Sequence, residues 1–342
     1  MTALRSELAR IVEAAAFVSP AAFVFAGQPS SGQLAPVAGV TLSPEMPPVV
    51  MELMTRLYES CYSRRFEGSV APLAAPQSPD DPEWVESLSR ANRSRERWEN
   101  GWQVVASLPS GQWLARRGSL TRALWPGEFL RRDAPGAPVS PGALVSVYFP
   151  RESRAMQPGF YFVFGETPAD VFDDFALVRF YWNVRPEGGA ALVESLSTSL
   201  NRWFIPFRFK ILNHRGAFTR LDAAILYAPR RYARVVLELC SEIRQRIQTA
   251  LGEETPLFTL RLAAGLGFAE DPGITESFGM SRCRLLAEAI WLAHSRGATR
   301  TDDRMRIIEE HFGAHGIDLD RPWLNPGSAP PFEFTESEAR AA

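Results

Sequence analysis

The sequence predicts an α+β fold, with a mostly antiparallel central sheet flanked by helices and a helical N-terminal region. Short β-like runs come in clusters, not in strict alternation with helices. Amphipathic stretches with apolar residues at helical spacing precede, separate and follow them. No Gly-x-Gly-x-x-Gly or Walker sequence marks the strand-to-helix turn of a parallel nucleotide-binding sheet.

Residues 1–100 read as the helical N-terminal region. The apolar stretch Ile11–Gly27 carries Glu13 and Pro20, so no uninterrupted run approaches the ~18 residues that a membrane span needs. It reads as a core helix ending near Ser19-Pro20. With no span elsewhere, the chain is placed in the cytoplasm, without a membrane partner. A second helix uses Val50, Leu53, Met54 and Leu57. Gln28–Pro48, rich in Gly, Ser and Pro, is a loop, and Val70–Pro82 is linker-like.

Residues 101–320 read as an α+β catalytic region. Strands are predicted at Trp102–Leu108, Gln112–Arg116, Leu144–Phe149, Phe160–Phe164, Leu177–Val184, Phe207–Leu212, Thr219–Tyr227 and Leu257–Leu262. Helices are predicted at Pro186–Trp203, Arg231–Leu251 and Met280–Arg296, the last after a long loop, Ala264–Gly279. Residues 321–342 read as a loose, Pro-rich tail.

Composition excludes some functions. The 342 residues are 46% hydrophobic and 22% charged, as in an ordinary globular protein. A net charge of −2 lacks the basic excess of a general nucleic-acid binder, so no nucleic-acid partner is expected. Cys61, Cys240 and Cys283 are scattered and odd in number, with no Cys-x-x-Cys or Cys/His ligand spacing. They read as buried free thiols, not as a disulfide framework or zinc site.

Of the 37 basic residues a single one, Lys210, is lysine. A bias has favoured arginine wherever a positive charge suffices. Arginine cannot release its proton in a protein, whereas lysine can. Lys210 is therefore a candidate base, weighed against chance survival.

Strand alternation gives it company. In Phe207–Leu212, Phe207, Phe209 and Ile211 form an apolar face, and Arg208 shares the other with Lys210. In Leu177–Val184, Arg179, Tyr181 and Asn183 share the face opposite Val178, Phe180, Trp182 and Val184. In the third strand Arg220 shares a face with Asp222, and whether that is the lysine's face depends on a register that the sequence does not fix. The two basic strands read as neighbours. A solvated sheet face normally mixes both signs of charge, and Asp222 is the one acid here. Clustered arginines fork onto phosphate, and cations packed around a lysine favour its neutral amine.

Ser277 can cap the helix that follows it, where free amides attract phosphate, and Arg282 lies in the first turns. His214 lies in the turn four residues after Lys210, as a candidate acid. His294, His311 and His315 have no ligand partners at metal spacing and read as structural or surface residues.

The segments LVRFYWNV (Leu177–Val184), PFRFKILN (Pro206–Asn213), RLDAAILY (Arg220–Tyr227) and SFGMSRCRLLAEA (Ser277–Ala289) resemble the Hop-type A-class type III effector family. The similarity extends upstream to LYESCYSRRF (Leu57–Phe66) and covers most of Leu57–Ala298. Members also occur in gene clusters for ribosomally made peptides, including class V lanthipeptides and thioamitides. For those members the resemblance implies a phosphoserine or phosphothreonine lyase. A separate Ser/Thr kinase phosphorylates a precursor peptide, the lyase removes phosphate to leave dehydroalanine or dehydrobutyrine, and a cyclase is a further partner. A more distant likeness to phosphothreonine lyase effectors implies a lysine base beside a phosphate-binding cation, the form of Arg208-Phe209-Lys210. Those enzymes use a histidine acid on a strand, where this chain has Tyr181.

The expected chemistry is thus β-elimination from a phosphorylated precursor peptide. Lys210 takes the α-proton, Tyr181 or Asn183 stabilises the enolate oxygen, and Tyr181 or His214 is the acid. Arg179, Arg208, Arg220, Arg282 and Ser277 bind phosphate. No cofactor or metal is expected, because the guanidinium groups supply the charge stabilisation. The competing readings are a non-catalytic phosphopeptide- or leader-binding partner of a kinase or cyclase, and an effector-type protein.

Overall fold

The computed structural model describes residues 3–332 apart from 33–36, 38, 71–80, 133, 135, 274, 275 and the side chain of 174. Helix α1 (Ala3–Ala14) buries Leu8, Ile11 and Val12. It stops five residues short of the expected end. Ala15–Ser19 (β1) and Ala22–Phe25 (β2) instead form an antiparallel hairpin, extended by Gln28–Pro29 (β3). Phe17, Phe23 and Phe25 are all buried, in the period-two pattern of a strand, and Pro20 sits at the turn, where its missing N–H costs nothing. Helix α2 (Val49–Leu57) runs on into a π turn, Tyr58–Tyr62. In α3 (Pro82–Ala91) the Asp81 side chain accepts from Trp84 N, with proline in the first turn.

Strands β4 (Arg97–Ser107), β5 (Trp113–Arg117), β6 (Leu120–Leu124), β7 (Phe129–Arg131) and β8 (Leu144–Phe149) form an antiparallel sheet in the order β6-β5-β4-β8-β7. Trp102, Val104, Val145 and Val147 give it a core of its own. Region 101–320 thus holds two sheets.

The second, central sheet has β9 (Glu152–Ser153), β10 (Phe160–Phe164), β11 (Leu177–Trp182), β12 (Arg208–Leu212), β13 (Ala224–Pro229), β14 (Leu260–Ala263) and β15 (Leu266–Glu270). Their order is β14-β15-β11-β13-β12-β10-β9, and every pair is antiparallel. The fold is α+β, as expected. Strand β15 occupies part of the expected loop Ala264–Gly279. Gly265, at φ +69°, makes the tight turn from β14, and a Cβ there would sit 2.6 Å from Gly252 O.

Helices α4 (Pro186–Arg202) and α5 (Ala233–Ile247) cover the apolar face of this sheet, with α3 against α4. Helix α6 (Phe278–Ser295) and the π turn cover part of the other, and α7 (Thr301–Ala314) packs on α6 and α1. Gly189 of α4 sets how closely the first layer packs. A Cβ there would lie 2.6 Å from the Trp84 ring and 3.2 Å from Ile211. Gly189→Ala is expected to cost about 1–3 kcal/mol of stability by overpacking, read as a lowered denaturant midpoint.

The tail reading is corrected over 321–332. Trp323, Leu324 and Phe332 are buried, and Trp323 and Phe332 meet the Phe268 ring edge-on at 5.8 and 4.9 Å. A Pro-rich stretch shows no periodicity, yet its few apolar residues fill the core beside β15. Residues 333–342 lie outside the described residues. No described helix is long and apolar enough to cross a membrane.

Candidate functional site

Cross-strand partners share a face, so register builds the site. Arg179 pairs with Tyr227, Tyr227 with Arg208, and Arg208 with Phe164. In the next row Tyr181 pairs with Ile225, Ile225 with Lys210, and Lys210 with Phe162. The basic residues of β11 and β12 do share a face, but the strands are not neighbours. β13 lies between them, so Arg179 and Arg208 stand roughly 10 Å apart, at twice the strand spacing. Alternation reveals the face of a strand and not its place in the sheet.

Tyr227 fills the gap. Its ring centroid lies 5.2 Å from Arg179 Cζ and 4.8 Å from Arg208 Cζ. This face opens into a cleft of ≈ 590 Å³ lined by Arg179, Arg208, Lys210, Tyr227, Gln157 and Ser277, with Leu177, Asp271, Gly273 and Glu276. Lys210 Nζ donates to Gln157 Oε1 at 3.0 Å and sits 4.3 Å from the Phe160 ring centroid. Ser277 caps the 18-residue α6, accepting from Met280 N at 3.3 Å.

The two acids of the cleft are already engaged. Asp271 Oδ2 lies 2.7 Å from Arg179 Nε and Nη2. Glu276 pairs with Arg284 at 3.0 Å. Among the described residues, neither Arg208 nor Lys210 has a carboxylate within ion-pair distance, and Arg208 Nε is buried without a hydrogen-bond partner. The cleft therefore presents two cations outside any direct ion pair among the described residues, with a third, Arg179, paired to Asp271. That arrangement suits a dianionic phosphate.

Tyr181 lies beneath the cleft, fully buried against the rings of Tyr62 and Phe278 at 6.5 and 6.3 Å. Among the described residues its hydroxyl has no hydrogen-bond partner, and burial pushes its pKa up to about 12. Besides Tyr181, four further expected site residues lie outside the cleft lining. Arg220 precedes β13, which begins at Ala224 and not Thr219, so its register is moot. It folds back on Asp222 at 2.8 Å and on the Tyr58 hydroxyl at 2.9 Å. Asn183 follows the last residue of β11, where alternation no longer applies, and donates to Glu254 O at 3.0 Å. His214 caps a 3-10 turn, its Nδ1 accepting from Gly216 N at 3.0 Å. Arg282 is 2% exposed and donates to Pro322 O at 2.8 Å and Leu324 O at 2.9 Å, tying the tail to α6. Arg282→Met is therefore expected to lower stability by about 2–3 kcal/mol, since two buried carbonyls lose their donor, read as a lowered denaturant midpoint.

Gln157 and Tyr227 escaped the sequence reading. Tyr227 carried a signal, since it alternates with Ile225, but its role needed the strand order. Gln157 lies in a connection with no periodicity. The structure gives two of the histidines a shared acidic neighbour. Ligand-type atoms of Glu288, His311 and His315 lie within 4.8 Å of one another, a set that would suit a metal ion. The carboxylate comes from α6 and the histidines from the α7 end, so chain spacing hides them. Glu288 is already bonded to Ser43 N at 3.1 Å, Arg284 at 3.3 Å and His311 Nε2 at 3.0 Å, as a structural network. Cys61, Cys240 and Cys283 are free and buried.

Residues 151–324, just over half of the chain and all of the central sheet, match the model of the HopA1 effector protein family. Two solved structures are similar. One is the effector protein from Pseudomonas syringae pv. tomato strain DC3000, at 16% identity over 84% of this chain and 92% of that one, with a TM-score of 0.46. The other is the effector protein from Pseudomonas syringae pv. syringae strain 61, at 16% identity over 81% and 89%, with a TM-score of 0.44. Among curated proteins no match is found.

Proposed function

This chain belongs to the HopA1 effector protein family, and we propose that it is a phosphoserine/phosphothreonine lyase acting on a kinase-phosphorylated precursor peptide. The observation that carries this reading is the chain's one lysine, on the same strand face as Arg208, lining the cleft and, among the described residues, without a carboxylate at ion-pair distance.

In this reading the phosphate of the peptide lies between Arg208 and Arg179, on the edge of Tyr227. Lys210, once its ammonium has given a proton to water, takes the α-proton. The C–H electron pair becomes the Cα–Cβ double bond as the Cβ–O bond breaks. Phosphate leaves with that bond's electron pair, its charge met by the guanidinium groups, and the lysine returns its proton to water. Gln157 holds the amine in place through the 3.0 Å hydrogen bond. Tyr181 remains the candidate acid on the correct face, and its role requires the cleft floor to open toward it.

Arg208→Ala is expected to weaken phosphopeptide binding by about tenfold, the worth of a charge-assisted hydrogen bond, with the denaturant midpoint held. The test of the whole reading is the product. Wild-type protein and a synthetic phosphoserine peptide should yield dehydroalanine and equimolar phosphate by mass spectrometry, whereas serine as product would make the protein a phosphatase. A second reading has one observation in its favour: an ammonium over the Phe160 ring is also how a protein simply holds a cation. A pure phosphopeptide-binding partner would retain the peptide unchanged.

A further inference from the structure

We propose that the groove between the two sheets seats an apolar side chain flanking the phosphorylated residue, so that the protein selects phosphopeptides with aliphatic or aromatic neighbours; this rests on reading the basic cleft as a phosphopeptide site. The groove has a volume of ≈ 450 Å³ and shares Leu177, Arg208 and Tyr227 with the cleft, so the two form one continuous surface. Val147 supplies its wall on the five-stranded sheet, and Phe164 and Phe207 the wall on the central one. A chain extended from the cleft advances about 3.3 Å per residue, so positions close to the phosphorylated residue reach this space.

The groove is preformed. Asp170 accepts from Thr121 N at 3.0 Å, clamping the loop before β11 onto β6. Gly165 N donates to Phe207 O at 2.9 Å across the groove floor. Of the two carboxylates that line it, Glu152 is already bonded to Tyr161 and Ser89 at 2.8 Å, and Glu128 accepts from Trp125 N at 2.8 Å. Met156, 54% exposed, stands at the mouth as an adaptable apolar contact. A preformed space with Val147, Phe164 and Phe207 on its walls, continuing the cleft that takes the phosphate, fits an apolar side chain of a bound peptide.

The test uses the Lys210→Arg protein, which keeps the charge and does not consume the probe. Two short fluorescent phosphoserine peptides are compared by anisotropy, one with leucines beside the phosphoserine and one with glycine and serine there. The leucine peptide should bind about tenfold tighter, the worth of one buried aliphatic side chain. Adding Ala169→Trp, which fills the groove, or Met156→Ser, which removes the apolar contact at its mouth without adding charge, should remove the preference and leave the glycine-serine peptide unaffected. Equal affinity for the two peptides, or a preference that survives both variants, overturns the inference while leaving the cleft reading intact. Binding of neither peptide overturns the cleft reading and the inference with it.

Discussion

Lys210→Arg should dehydrate a phosphopeptide about 10³-fold more slowly than wild type, while binding it within a factor of about two, since a general base contributes 10²–10⁴ and the positive charge is retained. Arginine keeps the cation over the Phe160 ring and beside Arg208, so the phosphate still meets the same field. It cannot offer a lone pair at any pH at which the protein is folded. Lys210→Ala should lose both rate and affinity. Single-turnover mass spectrometry gives the rate, and anisotropy the affinity. Near wild-type dehydration by the arginine variant would remove Lys210 from the mechanism.

Asp222→Asn should destabilise the fold by about 3 kcal/mol, toward the low end for a broken buried ion pair because Arg220 keeps some exposure. The carboxylate is almost fully buried and holds Arg220 at 2.8 Å, with the Tyr58 hydroxyl at 3.3 Å. Burial alone would push the Asp222 carboxyl up, but the Arg220 guanidinium and its hydrogen bonds, with Lys210 nearby, hold it below the ordinary carboxylate range. A depressed folded value fixes the sign. Its contribution is complete above the unfolded carboxylate value near 3.9 and falls away as pH drops through the folded value. Denaturant midpoints of wild type should therefore fall on acidification below about pH 4, and Asp222→Asn should lose this component of the acid sensitivity.

The sequence reading went furthest where physics is local. Alternation in Arg208–Leu212 put Arg208 and Lys210 on one face, and the same rule placed Arg179 and Tyr181 correctly. It failed where the answer lay in long-range order. No period states that β13 separates β11 from β12, so Tyr227 could not be seen as the ring between two arginines. It failed again at the end of β11, where Asn183 leaves the strand. Arg220 and Arg282 went astray for a compositional reason. In a chain where arginine takes nearly every basic position, arginine also does the structural work of binding carbonyls and buried carboxylates. A lysine is rarer and therefore more informative here than any arginine.

The central claim is that the cleft removes the α-proton of a phosphorylated residue, and a phosphoserine peptide deuterated at that α-carbon tests it most directly. Wild type should release phosphate, leave a dehydroalanine that has lost the deuterium, and react more slowly than with the protiated peptide. Phosphate release with serine still carrying its deuterium would contradict the account.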